Sequence, residues 1–287
     1  MKKGKGMNAL EETKFLLKKY DISASKKLGQ NFLIDDEVIE NIVTASNVCK
    51  DDLVIEIGPG LGSLTSRLLE KAGKVIAIEL DSRMIKILQD RFILYPQLIL
   101  INDDILKIDL RDLIDKNKNN LKNVRIVANL PYYITTPIIM KLLEEKINID
   151  TISVMVQKEV ADRIIAIPGE KNSGAITYSV YYYAEAVEVC FVSKACFIPI
   201  PEVDSKVIKL NIREKPVVTV KEEEKFFKVI KASFMQRRKT LLNGLLNGGM
   251  IKTKEEGKEL LKKLGLPENV RGETLRIEEF AKIADNI

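Results

Sequence analysis

The 287-residue chain predicts an α/β protein: a doubly wound, mostly parallel sheet ending in an antiparallel edge pair, followed by a small all-helical domain. Three observations predict it. Between residues 53 and 157 short β-rich runs alternate with stretches of helical apolar spacing, the pattern of parallel strands joined by helices. From 186 to 212 that alternation gives way to two β-branched runs joined by a proline-punctuated turn, which fits an antiparallel pair at a sheet edge. Beyond "REKPVV" (213–218), a linker, the apolar spacing is helical throughout.

The elements follow in order. A polar, amphipathic start leads to "SKKLGQNFLIDDEVIENIV", a loop and then a helix carried by Val38, Ile39, Ile42 and Val43. "LVIEI" (53–57) reads as a buried strand, "GSLTSRLLEKA" as a helix, "KVIAIEL" (74–80) as a strand and "SRMIKILQDRF" as a helix. "QLILIN" (97–102) is a strand, "DKNKNNLKN" (115–123) a polar loop, and "VRIVAN" (124–129) a strand. "TPIIMKLLEEK" is a helix, and "TISVMVQ" (151–157) a strand leading into "KEVADRII". The C-terminal helices are "EEEKFFKVIKASFMQRRKTLLNGLL", "TKEEGKELLKKLG" and "RIEEFAKIADNI". The expected division is a basic N-terminal extension at 1–23, a catalytic domain at 24–213 and a helical domain at 214–287.

Composition excludes several chemistries. The chain has no histidine, which removes Ser-His and Cys-His nucleophiles, imidazole bases and nearly all catalytic zinc sites. Its three cysteines, Cys49, Cys190 and Cys196, have no CxxC spacing, so neither a disulfide framework nor a thiolate metal site is indicated. The start carries lysines without an apolar h-region and no stretch approaches membrane length, so a soluble cytoplasmic protein is expected. The net charge of +5 is uneven: residues 1–30 and 213–287 are each net +5, while 31–212 is net −5. Basic ends around an acidic centre suit a polyanion gripped at the periphery, although solvated lysines also serve solubility alone.

"VIEIGPGLGSLT" (54–65) is a strand, a glycine turn and a helix start. Gly58, Gly60 and Gly62 let the backbone turn sharply and approach a ligand closely. The third glycine of a dinucleotide fingerprint would fall at Ser63, so an NAD-type pyrophosphate site is disfavoured. Glu56 before G-x-G-x-G is instead the pattern of S-adenosylmethionine sites. Glu79, at the end of the next strand, can accept from ribose hydroxyls, and Asp104 from an adenine amino group. Each is also an ordinary acid at a strand end; three at successive carboxyl ends point to a ligand crevice.

In "VANLPYYITTPI" (127–138) an amide, a proline and two tyrosines follow the fourth strand, with no acid, base or nucleophile. The Asn129 side-chain oxygen and the Leu130 carbonyl can accept both hydrogens of an exocyclic amino group. That favours a pyramidal nitrogen with its lone pair aimed at a methyl sulfonium. Pro131 fixes the backbone and Tyr132 can stack on a base drawn out of its helix, whereas Tyr133 reads as core.

"LGQNFL" (28–33), "EIGPGLGSLT" (56–65), "NLPYYITTPI" (129–138), "FIPIPEVDSKV" (197–207) and "FMQRRKTLLN" (234–243) together resemble the KsgA-type small-subunit ribosomal RNA adenine dimethyltransferases, from about residue 24 to the end. The resemblance implies a Rossmann-like methyltransferase that uses S-adenosylmethionine. It further implies conversion of two adjacent adenosines in the 3′-terminal hairpin of 16S rRNA, in the immature small subunit, to N6,N6-dimethyladenosine. A monomer without a metal is expected. Carried over by position, Asn31, Leu33, Gly58, Glu79, Asp104 and Asn129 contact the cofactor, and Asn129, Leu130, Pro131 and Tyr132 form the catalytic loop. Phe197 resembles an aromatic closing over the adenine, and "QRRK" (236–239), read as helical, offers Arg237, Arg238 and Lys239 to phosphates. The alternatives are an Erm-type large-subunit enzyme, which shares the Asn-x-Pro-Tyr logic, and a ribosome-assembly checkpoint protein whose methylation is secondary.

Overall fold

The computed structural model describes residues 7–236 and 239–287. The chain forms two compact units, one of residues 1–161 and 187–212, the other of 162–186 and 213–287.

The first unit opens with helix α1 (Ala9–Lys19), started by a capping box in which Asn8 Oδ1 accepts from Glu11 N (2.8 Å) and Glu11 Oε2 from Asn8 N (3.1 Å). Its Leu16 is buried with Phe32, Leu61, Met84 and Ile87, and Glu12 pairs with Arg91 at 2.6 Å. The described part of the 1–23 extension is therefore a docked helix, held by apolar burial rather than left as an arm. Strand β1 (Phe32–Leu33) follows, then α2 (Asp36–Ala45), capped by Asp35 and burying Val38, Ile39, Ile42 and Val43 as their spacing predicts.

The sheet is built from β2 (Asp52–Ile57), α3 (Ser63–Lys71), β3 (Lys74–Glu79), α4 (Ser82–Arg91), β4 (Leu98–Asn102), α5 (Leu110–Lys118), β5 (Asn123–Asn129), α6 (Thr135–Glu144) and β6 (Thr151–Gln157). Next come α7 (Lys158–Ile165), α8 (Ala175–Tyr183), β7 (Ala184–Val192), β8 (Phe197–Ile198) and β9 (Ser205–Ile212). Strand order is β4-β3-β2-β5-β6-β9-β7, and β8 pairs antiparallel with β1. The pairs from β4 to β6 are parallel, β9 runs antiparallel to β6, and β7 is outermost. All six residues of β2 are buried, as a central strand covered on both faces requires. Strand order reverses between β2 and β5, and such a switch point opens a crevice at the carboxyl ends of the two strands.

Two expectations about this unit change. The polar run at 115–123 begins inside α5, a helix that buries only Leu110 and Ile114 and whose other side is solvated. Phe197 is 1% exposed and packs in the core with Leu33, Val192 and Val207, because β8 pairs Phe197 with Leu33. Its ring packs in the core and does not line the cleft.

The second unit contains α8 and the helices α9 (Glu223–Phe234), α10 (Leu241–Asn247), α11 (Lys254–Lys263) and α12 (Ile277–Asn286). Tyr178 and Tyr182 of α8 share one buried cluster with Phe226, Val229, Leu245 and Phe280, so residues 162–186 join this unit although a boundary at 213/214 was expected. The run expected as one helix from 222 to 246 breaks after Phe234. Gln236 and Lys239 lie in that break rather than on a helix, and Arg237 and Arg238 lie outside the described residues. Among the described residues no helix is long and apolar enough to cross a membrane.

Candidate active site

The cleft at the β2/β5 switch point is lined by the glycine turn after β2, by residues 28–33, by the ends of β3 and β5, and by Asp103–Ile105. Its shape follows from the turn. Gly58, at φ +68°, donates its N–H to Ile78 O (2.9 Å), and Gly60, at φ +56°, lies where a Cβ would meet the Phe32 ring at 3.4 Å. Gly62 plays another part: it caps α3 at φ +87°, a Cβ there would stand 2.7 Å from Phe92, and it does not line the cleft.

Two buried acids face the turn. Glu79 accepts from Gly60 N at 3.1 Å and from Asp81 N at 2.8 Å, so its carboxylate is fixed by backbone donors, while burial pushes its pKa up. Glu56, on β2 and 1% exposed, accepts from Thr65 Oγ1 at 2.6 Å through Oε2; among the described residues its Oε1 has no hydrogen-bond partner. Burial raises its pKa to about 8, with the neighbouring Glu79 charge adding to the effect. A buried carboxylate oxygen without a donor is costly unless a cationic or hydrogen-bonding ligand completes it. Asp104 lines the rim, partly exposed, and accepts from Leu106 N at 3.0 Å.

The opposite wall is the end of β5. Asn129 Nδ2 donates to Asn31 O (3.2 Å), which leaves Oδ1 as an acceptor. Leu130 buries its side chain and donates its N–H to Met155 O (3.2 Å); among the described residues no donor reaches its carbonyl. Pro131 O accepts from Ile134 N and from Thr135 Oγ1, which locks the turn. The Tyr132 hydroxyl shares a 2.8 Å hydrogen bond with Ser205 Oγ at the start of β9, which fixes the ring at the cleft, and burial raises the phenol pKa. Tyr133, read as core from the sequence, is exposed at the cleft mouth.

Asn31, Leu33, Gly58, Gly60, Glu79, Asp104, Asn129, Leu130, Pro131 and Tyr132 are thus brought together, whereas Gly62 and Phe197 are not. Sequence reasoning missed Gln30. It bridges two sides of the cleft by donating Nε2 to Asp81 Oδ2 (2.9 Å) and accepting from Ser25 N (2.8 Å), and Asp81 in turn pairs with Arg83 at 2.6 Å. The local signal was Asp81 as the helix cap of α4, but its partner lies 51 residues away. Among the described residues no group of three or more Cys, Asp or Glu could hold a metal ion.

Comparison with known proteins bears on this geometry. The family model for ribosomal RNA adenine dimethylase matches residues 22–287. The "Ribosomal RNA small subunit methyltransferase A" of Alkaliphilus oremlandii is 47% identical over 277 residues, 96% of each chain. That of Lachnoclostridium phytofermentans is 49% identical over 279 residues, again 96% of each. Among solved structures, a dimethyladenosine transferase from Plasmodium falciparum is 27% identical with a TM-score of 0.72, covering 88% of this chain and 95% of that one. The 23S rRNA methyltransferase ErmE, at 24% identity and a TM-score of 0.65, covers 89% and 99% and shares the fold.

Proposed function

The chain belongs to the ribosomal RNA adenine dimethylase family, and from that membership and the cleft geometry we propose that it dimethylates the N6 amino groups of two adjacent adenosines in the 3′-terminal hairpin of 16S rRNA. Its substrate on this reading is the immature small ribosomal subunit, its cofactor S-adenosylmethionine, and it works as a monomer.

The residues present fit that cofactor. The unpartnered Glu56 Oε1 calls for a cation, which the ammonium of a methionine moiety supplies, and the Gly58–Gly60 turn admits a ligand against bare backbone. Glu79, with its oxygens already oriented, would accept from the ribose hydroxyls, and Asp104 from the adenine amino group. Asn31 and Leu33 would close the near wall. When bound, this cofactor supplies an electrophilic methyl group on a positively charged sulfur.

The observation that carries the reading is the pair of free acceptors at the end of β5. With Nδ2 committed to Asn31 O, Asn129 Oδ1 and the Leu130 carbonyl remain to take the two hydrogens of an N6 amino group. Both bonds draw the nitrogen away from conjugation with the ring and orient its lone pair. No base is needed beforehand, because the proton becomes acidic only when nitrogen is alkylated and then passes to solvent. Tyr132, anchored through Ser205, would stack on the extruded base, and Pro131 keeps the carbonyl in place. The second unit would contact the RNA through its basic surface, with Lys239 exposed in the α9–α10 break and Arg237 and Arg238 beside it in sequence.

Asn129→Ala tests this. Methyl transfer to small subunits should fall at least about 100-fold, the scale of losing one oriented polar group at a reacting centre. Binding of cofactor and subunit should persist. Methylation at the wild-type rate would contradict the assignment of Asn129.

A further inference from the structure

Tyr132 and Tyr133 are neighbours in the chain but differ in what holds them. Tyr132 is partly buried with its hydroxyl on Ser205. Tyr133 is 60% exposed at the mouth of the cleft. A packing role would bury so large a ring. Instead the Cδ1–Cε1 edge rests on Gly29, where a Cβ would stand 3.3 and 3.4 Å from those two atoms. Gly29 adopts φ +60° and donates its N–H to Lys26 O at 3.1 Å, closing the Lys26–Leu28 turn. That turn exposes Lys26 and Lys27, and neither is in an ion pair among the described residues. An open aromatic ring seated against a turn that carries two exposed lysines is a combination with which proteins hold single-stranded RNA, base on ring and phosphate on cation.

We propose that Tyr133 stacks on the base next to the adenosine being methylated, while Lys26 and Lys27 hold the phosphates of that strand. The inference rests on the reading above, that the cleft accepts an adenine of ribosomal RNA. Drawing one base into the cleft at Asn129 and Tyr132 strips its neighbour of a stacking partner. Tyr133 is the next residue outward and replaces that lost face, which lowers the cost of extrusion. Stacking tolerates any base. With two adjacent adenosines modified in turn, the ring meets a different neighbouring base each time, which a contact that tolerates any base allows.

The test uses the full-length protein, labelled S-adenosylmethionine and small subunits lacking dimethyladenosine. Tyr133→Ala should raise KM for the subunit about tenfold, with cofactor affinity by calorimetry unchanged and kcat changed less than KM. Tyr133→Phe should restore the wild-type KM, because the ring and not the hydroxyl acts. The double variant Lys26→Ala/Lys27→Ala should lower the slope of log KM against log salt by about 1.4, two phosphate contacts to a single strand. Should Tyr133→Ala melt early, Tyr133→Leu keeps the bulk without the aromatic face and should show the same rise in KM. A wild-type KM in the stable alanine or leucine variant, or equal defects in the alanine and phenylalanine variants, would overturn the proposal. If the wild-type protein labels no ribosomal RNA, the functional reading itself fails; if it labels RNA and the Tyr133 variants match it, the stacking role alone fails.

Discussion

Two carboxylates on the same buried strand separate an acid that builds the fold from one that waits for a ligand. Asp52 opens β2 and Glu56 lies near its far end, with 0% and 1% of their surface exposed. Asp52 accepts from Cys49 N (2.9 Å), Asn123 Nδ2 (2.7 Å) and Arg125 Nε (2.6 Å). Burial alone would raise its pKa, but the bonds from Asn123, Arg125 and Cys49 outweigh burial and hold it below the usual carboxylate range. Glu56 has one side-chain donor, Thr65, and burial prevails. The amino end of the sheet is closed electrostatically, whereas the carboxyl end is left unfinished where the strand order reverses. What is missing at Glu56 is supplied by whatever enters the cleft.

The sharpest way to break the contrast is Asp52→Ala, which leaves Arg125, only 13% exposed, without its counter-charge. Stability measured by chemical denaturation should drop by about 3–5 kcal/mol, the cost of stranding one member of a buried pair. The protein that remains folded should bind cofactor as the wild type does. A loss of cofactor affinity with unchanged stability would reverse the roles assigned to the two ends.

Glu56→Gln should do the opposite. The fold should survive, because burial already keeps Glu56 largely protonated at neutral pH in the ligand-free protein and the amide replaces a neutral acid, while cofactor affinity by calorimetry should fall about 10- to 100-fold through loss of a charge-assisted bond. The pH dependence follows from the direction of the shift. An acid whose folded pKa, about 8, lies above its unfolded value near 4.5 holds its proton more tightly in the fold. Its contribution is full below pH 4.5 and is lost as pH rises to about 8. The melting temperature of the ligand-free wild type should therefore decline across that window, and Glu56→Gln should decline less. Glu79, shifted by burial in the same direction, accounts for what remains. Identical slopes for the two proteins would contradict the role given to Glu56.

The smallest effect is expected at Gln30. Gln30→Ala removes one bridge between the near wall and Asp81, and should weaken cofactor binding about fivefold, roughly 1 kcal/mol, without shifting the melting temperature. A shift in melting temperature with unchanged cofactor affinity would make the bridge structural and place it with Asp52.

How legible each part was follows from how local its physics is. The glycine turn, the buried strands and the "NLPYY" loop announce themselves because residue type at fixed spacing decides them. Likewise the resemblance drawn from five motifs agrees with the family match over residues 22–287. Helix α5 was hidden by its solvated polar side, with only Leu110 and Ile114 buried. The aromatic run of α8 has no apolar period to read, since Tyr178, Val180 and Tyr182 are all buried. The break after Phe234 was masked by good helix formers on both sides, and Phe197 looked like a site residue until β1–β8 pairing put its ring in the core. Within the site, acids at strand ends could be found by counting. The partners that decide their chemistry, such as Thr65 under Glu56 and Gln30 across to Asp81, are set by tertiary packing.

The central claim is that the acceptors at the end of β5 present an adenine amino group for methylation in small-subunit RNA. It is tested most directly by supplying labelled S-adenosylmethionine with separated small and large ribosomal subunits that lack their dimethyladenosines, then mapping the labelled nucleotides. The account predicts label on two neighbouring adenosines near the 3′ end of 16S rRNA, and none when Asn129 is replaced by alanine. Label on large-subunit RNA, or label on the small subunit that survives Asn129→Ala, would contradict it.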